Sequence, residues 1–280
     1  MKVRKKGFYL LLRIVPKKYS YRIVELIIDY FKIDTAKFYF KSRGFGNWRE
    51  IAEKGEKNVI ENIVLPEIKT KKHPMFIDVG ANIGNYSKQL NALVQSSIIY
   101  AFEPLPLAYE KAKENLQNIE NAYVINRALG SSGGVVQIYN YENNEISQHG
   151  SLHKAVFEEF HKKGEVKSFP IDMITLDDFC DDKKIEKIDF LKIDTEGHEL
   201  EVLKGATKMI KEDKINIIQF EFNEMNIVSR VFLKDFYDLL SEKYEFYRVR
   251  KTDLLPLGSY NVRNEIFLFQ NIVAKLKKVD

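Results

Sequence analysis

The stretch Met75-Phe-Ile-Asp-Val-Gly-Ala-Asn-Ile-Gly84 constrains the fold of this 280-residue chain more than any other segment. It runs from a short apolar segment through Asp78 into a loop with two glycines, and helix-forming sequence follows. A buried strand that ends in a glycine turn and continues into a helix is typical of the ligand-binding corner of a doubly wound sheet. Glycine lacks a Cβ, so it can adopt positive φ angles and lets a ligand lie directly against the backbone.

From Met75 onward, strands and helices are predicted to alternate, which favours a parallel α/β sheet. Short apolar runs predict strands at 75–79, 97–102, 122–126, 187–193 and 215–222. The segments between them predict helices at 85–94, 107–118, 199–211 and 230–241. Two further predicted strands, 244–250 and 262–269, are separated by a loop rather than a helix, so we expect them to pair antiparallel.

Residues 127–170 are predicted to be an insertion into this pattern. The segment contains predicted short strands at 135–139 and 166–171 and a predicted helix at 152–162. Inserted segments above a sheet often close the pocket, so we expect this one to face the substrate.

The net charge of +4 belongs to the beginning of the chain. Residues 1–22 contain eight lysines and arginines and no acidic residue, which leaves a net charge of −4 for the remainder. The basic character therefore gives no support to a nucleic-acid surface on the fold, and we expect no nucleic-acid partner.

Residues 1–72 are predicted to form an N-terminal helical segment, with helices at 20–32 and 56–68, and residues 73–280 the main domain. No apolar run approaches the ~20 residues that span a bilayer. One interpretation places residues 1–32 on a membrane surface, where their cations would meet anionic lipid; packing on the main domain is the alternative. The lone Cys180 cannot form an intrachain disulfide, so we expect a cytoplasmic protein, with or without peripheral attachment to the inner face of the membrane.

The spacing of the glycines in the turn limits which class of ligand can bind there. Gly80-x-x-x-Gly84 matches neither the G-x-G-x-x-G pattern of dinucleotide sites nor a P-loop, so it favours a ligand without phosphates. Glu103 ends the second predicted strand, where an acid can accept both hydroxyls of a ribose. Together these features indicate an adenosine ligand without a phosphate chain, such as S-adenosylmethionine. An oxidoreductase that binds NAD(P) remains an alternative, weakened by the missing third glycine.

Several motifs, in order, resemble the FkbM-type methyltransferase family. They are Phe76-Ile-Asp-Val-Gly-Ala-Asn-Ile-Gly-Asn-Tyr-Ser87, Ala101-Phe-Glu-Pro104, Ile188-Asp-Phe-Leu-Lys-Ile-Asp-Thr-Glu-Gly-His-Glu-Leu200 and Val202-Leu-Lys-Gly-Ala206. The resemblance covers roughly residues 75–222. It implies a class I methyltransferase fold, which is a Rossmann-like, doubly wound sheet of seven strands with the last strand antiparallel. It also implies S-adenosylmethionine as the methyl donor and hydroxyls of sugars or secondary metabolites as acceptors.

The resemblance also implies where the donor binds. Its cofactor turn corresponds to Asp78, Gly80, Asn82 and Gly84. Glu103 would bind the ribose, and Pro104 would fix the exit of that strand. The end of the third strand faces the adenine in such folds, which makes candidates of Asn126, Arg127 and Ala128.

The reactive side is predicted at the ends of the fourth and fifth strands, where Asp194 and Glu221 lie. His198 is a candidate base, since imidazole titrates near neutral pH. Asp194 would orient the acceptor or receive the donor's amino group. Glu196 is a candidate for acceptor binding, although acids at this position also cap the following helix. Asp194, Glu196 and Glu221 could alternatively hold Mg²⁺, but the resemblance does not demand a metal and we expect none.

The acceptor is expected to lie against the insertion, at His149, Ser151 and His153. Either histidine could replace His198 as the base. The sequence therefore predicts an O-methyltransferase that acts on a sugar, a glycan or a polar metabolite. A non-catalytic, membrane-associated scaffold is the remaining alternative.

Overall fold

The structure, a computed structural model, describes residues 17–32, 34–46, 55–141, 150–161 and 164–278. The chain divides into two compact units, residues 1–45 and 46–280. The first unit contains helices α1 (Lys17–Tyr30) and α2 (Thr35–Arg43). The predicted domain boundary after residue 72 stays a prediction. No helix within the described ranges is long and apolar enough to cross a membrane.

The second unit is built on two sheets. Its strands, numbered along the described residues, are β1 (Met75–Val79), β2 (Ile98–Phe102), β3 (Ala122–Ile125), β4 (Ala128–Leu129), β5 (Gly134–Tyr141), β6 (Val166–Ile174), β7 (Phe190–Ile193), β8 (Ile217–Phe222), β9 (Tyr244–Val249), β10 (Leu254–Pro256) and β11 (Gln270–Leu276).

Helices cover both faces of the larger sheet. They are α3 (Glu56–Val59, a π-helical turn Ile60–Val64, then Leu65–Ile68), α4 (Asn85–Leu93), α5 (Pro106–Leu116), α6 (Leu176–Lys183), α7 (Glu199–Lys204), α8 (Thr207–Lys211), α9 (Met225–Ser229) and α10 (Leu233–Leu240). A π-helical turn at Val156–His161 and a 3-10 turn at Val262–Asn264 complete the described helical structure.

The larger sheet has the strand order β10-β9-β11-β8-β7-β1-β2-β3. Strands β3, β2, β1, β7 and β8 run parallel, and β11 lies antiparallel between β8 and β9. This confirms the predicted doubly wound sheet with an antiparallel last strand, to which the short β10 adds a hairpin strand. The strand order reverses at β1, which has β2 on one side and β7 on the other. Ligands of such sheets bind in the crevice outside the carboxyl ends of the strands at this switch point.

The last strand was predicted in the wrong place. It occupies 270–276 rather than 262–269, because the preceding residues make other bonds. The side chain of Glu265 accepts the backbone N–H groups of Leu233 and Lys234 at 2.9 and 2.8 Å, which holds it at the beginning of α10. Burial of consecutive residues begins only at Gln270.

The helix predicted at 199–211 is broken at Gly205 into α7 and α8. A Cβ on Gly205 would lie 2.0 Å from the carbonyl oxygen of Gly130, so the glycine lets the end of α7 approach the loop after β4 closely. This packing brings the insertion against the end of β7.

The predicted insertion forms the smaller sheet, in the order β4-β6-β5. Strands β5 and β6 pair antiparallel from Gly134 opposite Met173 to Tyr141 opposite Val166. The segment predicted as a helix at 152–162 is mostly the π-helical turn Val156–His161.

Helix α3 packs on the face of the larger sheet that also carries α4. Val59, Ile60 and Val64 are fully buried, in a cluster with Phe76 of β1 and Phe190 of β7. The first turn of α3 thereby places Glu56 in the cavity at the carboxyl edge of the sheet.

Candidate active site

A cavity of about 470 Å³ opens at the carboxyl ends of β1, β2, β7 and β8. It is lined by most of the predicted site residues, namely Gly80, Asn82, Glu103, Pro104, Arg127, Ala128, Asp194, Glu196, His198 and Glu221. Its size is within the range of pockets that enclose small-molecule ligands.

The glycine turn is held against both neighbouring strands. Gly80 has φ 78°, and its N–H and that of Ala81 donate to the carbonyl of Phe102 at 3.0 and 2.9 Å. A Cβ on Gly80 would lie 1.9 Å from the carbonyl oxygen of Asp194. Only glycine can therefore occupy this position between β2 and β7.

Asn82 and Gly84 have different functions in the same loop. Asn82 lines the cavity with φ 50° and its Oδ1 accepts the N–H of Ile83 at 2.6 Å. Gly84, with φ 80°, faces away from the cavity, and a Cβ there would lie 3.1 Å from the Leu116 side chain. Gly84 thus permits the packing of α4 against α5.

Glu103 is fixed where the sequence places the ribose contact. Its Oε2 accepts the N–H of Asn82 at 2.8 Å and its Oε1 accepts the N–H of Leu105 at 2.9 Å. Burial raises the pKa of Glu103 to about 7, although the two backbone N–H groups oppose the shift. Each carboxylate oxygen retains a lone pair for a further donor.

The three residues after β3 differ in orientation. Asn126 is exposed and its amide donates to the carbonyls of Glu103 and Pro104 at 2.9 and 3.0 Å, so it fixes the ends of β2 and β3. Arg127 and Ala128 line the cavity beside Leu105. Asn126 itself does not line it.

A buried charged cluster lies beneath the turn. Asp78 is fully buried, accepts the Ser87 hydroxyl at 2.7 Å and lies 3.8 Å from the Lys192 ammonium. Lys192 also donates to Asp194 at 3.1 Å and lies 4.6 Å from the centre of the Tyr86 ring. Burial acts to lower the pKa of Lys192, but Asp194, Asp78 and Glu56 outweigh it and hold that pKa above its ordinary value.

Asp194 and Glu221 form a coupled carboxyl pair. Burial, followed by the negative charge of Asp194, raises the pKa of Glu221 well above its ordinary value, and a hydrogen bond joins the two side chains. Two neighbouring carboxyls of this kind share a proton, because ionising both in a buried site is costly. The hydrogen bond and the raised pKa of Glu221 indicate that the proton of this pair resides mainly on Glu221.

Glu199, rather than Glu196, organises the loop before α7. Its Oε1 accepts the N–H of Thr195, the hydroxyl of Thr195 and the N–H of Gly197 at 2.9, 3.1 and 3.1 Å. Burial raises the pKa of Glu199 to about 7. Glu196 has φ 52°, lines the cavity, and accepts the Ser151 hydroxyl at its backbone carbonyl at 2.8 Å.

His198 is enclosed at the floor of the cavity. Neither ring nitrogen has a hydrogen-bond partner among the described residues, and both are shielded from solvent. Burial, and then the neighbouring His153, lower the pKa of His198 to about 4, so its ring is neutral at pH 7. A neutral imidazole has one nitrogen lone pair that can accept a proton.

The insertion contributes Ser151 and His153. The ring of His153 is hydrogen bonded to the backbone of Gly197, and its centre lies 6.1 Å from that of His198. Neither residue lines the cavity, which Gly150 and Leu152 reach instead. His149 lies outside the described residues. Over the described part of the chain, no three acidic, histidine or cysteine side chains are grouped to hold a metal ion.

Comparison with known proteins identifies the family. Residues 78–248 match the family described as the methyltransferase FkbM domain, which is more than half of the chain. The chain belongs to the FkbM methyltransferase family. The resemblance found in the motifs is thereby confirmed, as is the assignment of the protein as a methyltransferase.

Three curated proteins are related to this FkbM methyltransferase, and the names of two of them state what is methylated. Hexuronic acid methyltransferase AglP of Haloferax volcanii is 29% identical over 70% of this chain and 72% of its own length. Methyltransferase sdnD of Sordaria araneosa is 29% identical over 48% of this chain and 61% of its own. 2-O-methyltransferase NoeI of Sinorhizobium fredii is 23% identical over 55% of this chain and 66% of its own. The matches to sdnD and NoeI thus cover less than two thirds of those proteins.

Among the cavity residues of the FkbM methyltransferase that were not predicted from sequence, three carry ionisable groups: Glu56, Tyr86 and Lys192. A signal for Lys192 exists, because a lysine inside the apolar run Phe190-Leu-Lys-Ile193 must have a buried partner. Glu56 carries no comparable signal, since it lies 22 residues before Asp78 on a different element.

Proposed function

We propose that this protein transfers the methyl group of S-adenosylmethionine to a hydroxyl of a sugar or another polar acceptor. The observation that carries the proposal is that one cavity joins Glu103, on the β2 side of Gly80, to Asp194 and His198, on the β7 side. A donor site and a reactive site are thereby continuous.

The chain's residues suit an adenosine ligand without phosphates. The donor, when bound, supplies an electrophilic methyl group on a sulfonium. Glu103 is held by two backbone N–H groups and can accept ribose hydroxyls with its remaining lone pairs. The space beside Glu103 is lined by Arg127, Ala128 and Leu105, and the adenine of the donor would lie there.

His198 is proposed as the base that receives the acceptor's proton. It is neutral at pH 7, lines the cavity, and has no other hydrogen-bond partner among the described residues. Because both ring nitrogens are shielded from solvent, the ring must turn toward the acceptor when it binds. A positioned base of this kind contributes roughly 10²–10⁴-fold to a rate. Glu221 is less suited to the task, because it is hydrogen bonded to Asp194 and the neighbouring negative charges oppose its ionisation.

A sugar hydroxyl is the acceptor that the relatives favour. AglP and NoeI are named for methylation of a hexuronic acid and of a 2-hydroxyl. Asp194 and Glu196 line the same cavity as His198, and their carboxylates can accept hydrogen bonds from the other hydroxyl groups of the sugar. Ser151 and His153 support the Glu196 loop from the insertion through backbone contacts at Glu196 and Gly197.

The donor part is tested by isothermal titration with S-adenosylmethionine and its demethylated product. We expect binding to the wild-type chain and a loss of at least tenfold in Glu103→Gln. Glu110→Gln, on the exposed face of α5, is the matched control and should bind normally. Absence of binding to the wild-type chain would refute the proposed donor.

The acceptor part is tested with isotope-labelled donor against a panel of uronic acids, neutral sugars and glycans. Mass spectrometry should locate the label on a hydroxyl oxygen. Label on nitrogen, or transfer only to acceptors without sugar hydroxyls, would contradict the proposed acceptor class.

We further propose that the first unit contacts an anionic membrane surface. Leu26, Tyr30 and Phe31 are 65%, 82% and 66% exposed at the end of α1, and residues 1–22 are cationic. Apolar and cationic residues together favour adsorption to anionic lipid. Co-sedimentation with anionic vesicles should fall when all three are replaced by serine. Leu107→Ser, equally exposed in the second unit, should have no effect.

A further inference from the structure

Glu56 is a partly buried carboxylate in the cavity that has no role in the proposed reaction so far. It lies in the first turn of α3, outside the matched domain at 78–248, yet it lines the same cavity as Lys192 and Asp194. No hydrogen bond to its side chain occurs among the described residues. An acidic group in such a place is costly to bury without a partner.

The surroundings of Glu56 are rich in negative charge. Asp78 and Asp194 both act on it electrostatically, and Lys192 is the cation that faces all three carboxyls. Burial and these two acids raise the pKa of Glu56 to about 7, against the opposing effect of Lys192. The cluster therefore has an excess of acidic groups over cations, and a further cation would stabilise it.

A second observation points to a ligand at the same place. Tyr86 lines the cavity, and its hydroxyl is buried without a hydrogen-bond partner in the described part of the chain. Glu56 is the carboxylate that acts on it most strongly. A buried hydroxyl and a partly buried carboxylate thus belong to the same part of the cavity, and neither takes part in a hydrogen bond among the described residues.

The strand order indicates which part of the donor reaches this place. Glu103 at the end of β2 marks the adenosine side of Gly80, and β7 lies on the other side of β1. A donor seated on Gly80 with its ribose at Glu103 must direct its amino-acid end toward β7. The groups there are Asp194, Lys192, Tyr86 and Glu56.

We propose that Glu56 binds the α-ammonium group of the methyl donor, so that helix α3 completes a donor site that the matched domain alone does not contain. The inference rests on the proposed use of S-adenosylmethionine. It assigns a binding residue to a segment that precedes the family match, and it predicts selectivity for adenosine ligands that carry an amino-acid group.

The test compares two probes by isothermal titration at pH 7.5. S-adenosylhomocysteine carries the amino-acid end, whereas 5′-methylthioadenosine has the same adenosine and thioether without it. Glu56→Gln should lower the affinity for S-adenosylhomocysteine at least tenfold and change the affinity for 5′-methylthioadenosine less than twofold. Glu61→Gln, a half-exposed glutamate on the same helix that pairs with Lys57, is the matched control and should alter neither.

Each outcome decides a separate question. Equal losses for both probes, or no loss for either, would overturn the assignment of Glu56 and leave the proposed methyl transfer standing. Failure of the wild-type chain to bind S-adenosylhomocysteine would overturn the proposed donor and this inference together.

A second measurement needs no variant, should Glu56→Gln not fold. A bound ammonium favours the ionised form of Glu56, so S-adenosylhomocysteine should release more protons from the wild-type chain at pH 7 than 5′-methylthioadenosine does. Titration in buffers of different ionisation enthalpy measures this difference. Equal proton release for the two probes would overturn the assignment.

Discussion

Gly80 and Asp194 approach so closely that a Cβ on the glycine would lie 1.9 Å from the aspartate's carbonyl oxygen. The contact joins the turn after β1 to the end of β7, and the N–H of Asp194 donates to Val79 at 3.0 Å beside it. The two ends of the cavity are thus positioned by one backbone contact. Any side chain at residue 80 would separate the strands where the donor and the acceptor are proposed to meet.

Gly80→Ala should therefore be far more damaging than an ordinary substitution at positive φ. Gly258→Ala is the matched control, because Gly258 has φ 63° and open space around its missing Cβ. The free energy of unfolding of the control should fall by about 1–2 kcal/mol from backbone strain alone. Gly80→Ala should lose a further ~1–3 kcal/mol or more from overpacking. Chemical denaturation measures both, and equal losses would contradict the proposed rigidity of this contact.

The sequence allowed the glycine turn and its acid to be predicted because their signals are local. A strand, a turn and a helix follow one another within Met75–Leu93, and the residue types that permit this are contiguous. Glu103 was predicted from its position at the end of the next strand. Backbone hydrogen bonds to Asn82 and Leu105 now explain how that carboxylate is held.

Glu56 could not be predicted, because its position depends on the packing of α3 against β1 and β7. Its neighbours Lys192 and Asp194 lie more than 130 residues away in the chain. The displaced last strand has a similar origin, since the contact of Glu265 with the beginning of α10 is not local. Prediction from a single sequence is weakest where elements meet.

Glu103→Gln should flatten the dependence of ligand-free stability on pH. The folded pKa of Glu103, about 7, exceeds its ordinary value of 4.5, so the folded state binds more protons between these values. Its contribution to the free energy of unfolding is therefore full below about pH 4.5 and is lost as the pH rises through about 7. Thermal unfolding of wild type and variant from pH 5 to 8 measures the difference. Parallel curves would contradict the raised pKa.

Affinity for the donor should have the opposite pH dependence. If the ionised form of Glu103 accepts the ribose hydroxyls, then each pH unit below 7 should lower the affinity for 5′-methylthioadenosine up to about tenfold. This probe avoids the amino-acid end and so isolates the adenosine side. A constant affinity from pH 6 to 8 would show that the carboxylate does not bind the ribose in its ionised form.

Glu199→Ala should destabilise the loop that carries Glu196 and His198. The substitution removes the acceptor of three hydrogen bonds from Thr195 and Gly197. Unsatisfied buried donors cost roughly 1–3 kcal/mol each, so we expect a total loss of several kcal/mol. Glu199→Gln retains one acceptor oxygen and should lose less. Glu212→Ala, at a surface glutamate paired with Lys214, should leave the free energy of unfolding nearly unchanged by the same denaturation measurement.

His198→Ala should lower kcat with little change in donor affinity. The expected loss is about 10²–10⁴-fold, since the imidazole is proposed to receive the acceptor's proton. Because the pKa of His198 is about 4, the ring is already neutral at pH 5.5 and its titration should not limit kcat between pH 5.5 and 8. A base of ordinary histidine pKa would instead make kcat rise through about pH 6.5.

Controls separate this base from the other histidines. His73→Ala, at an exposed position in contact with Ser96, should leave kcat unchanged. His153→Ala should have a smaller effect than His198→Ala, because His153 does not line the cavity. Burial lowers the pKa of His153 below its ordinary value. A loss at His153 that exceeds the loss at His198, or a step in the wild-type profile below pH 6.5 that His153→Ala abolishes, would transfer the role of base to His153. Because His153 belongs to the insertion, that result would also place the base on the insertion rather than on the loop after β7.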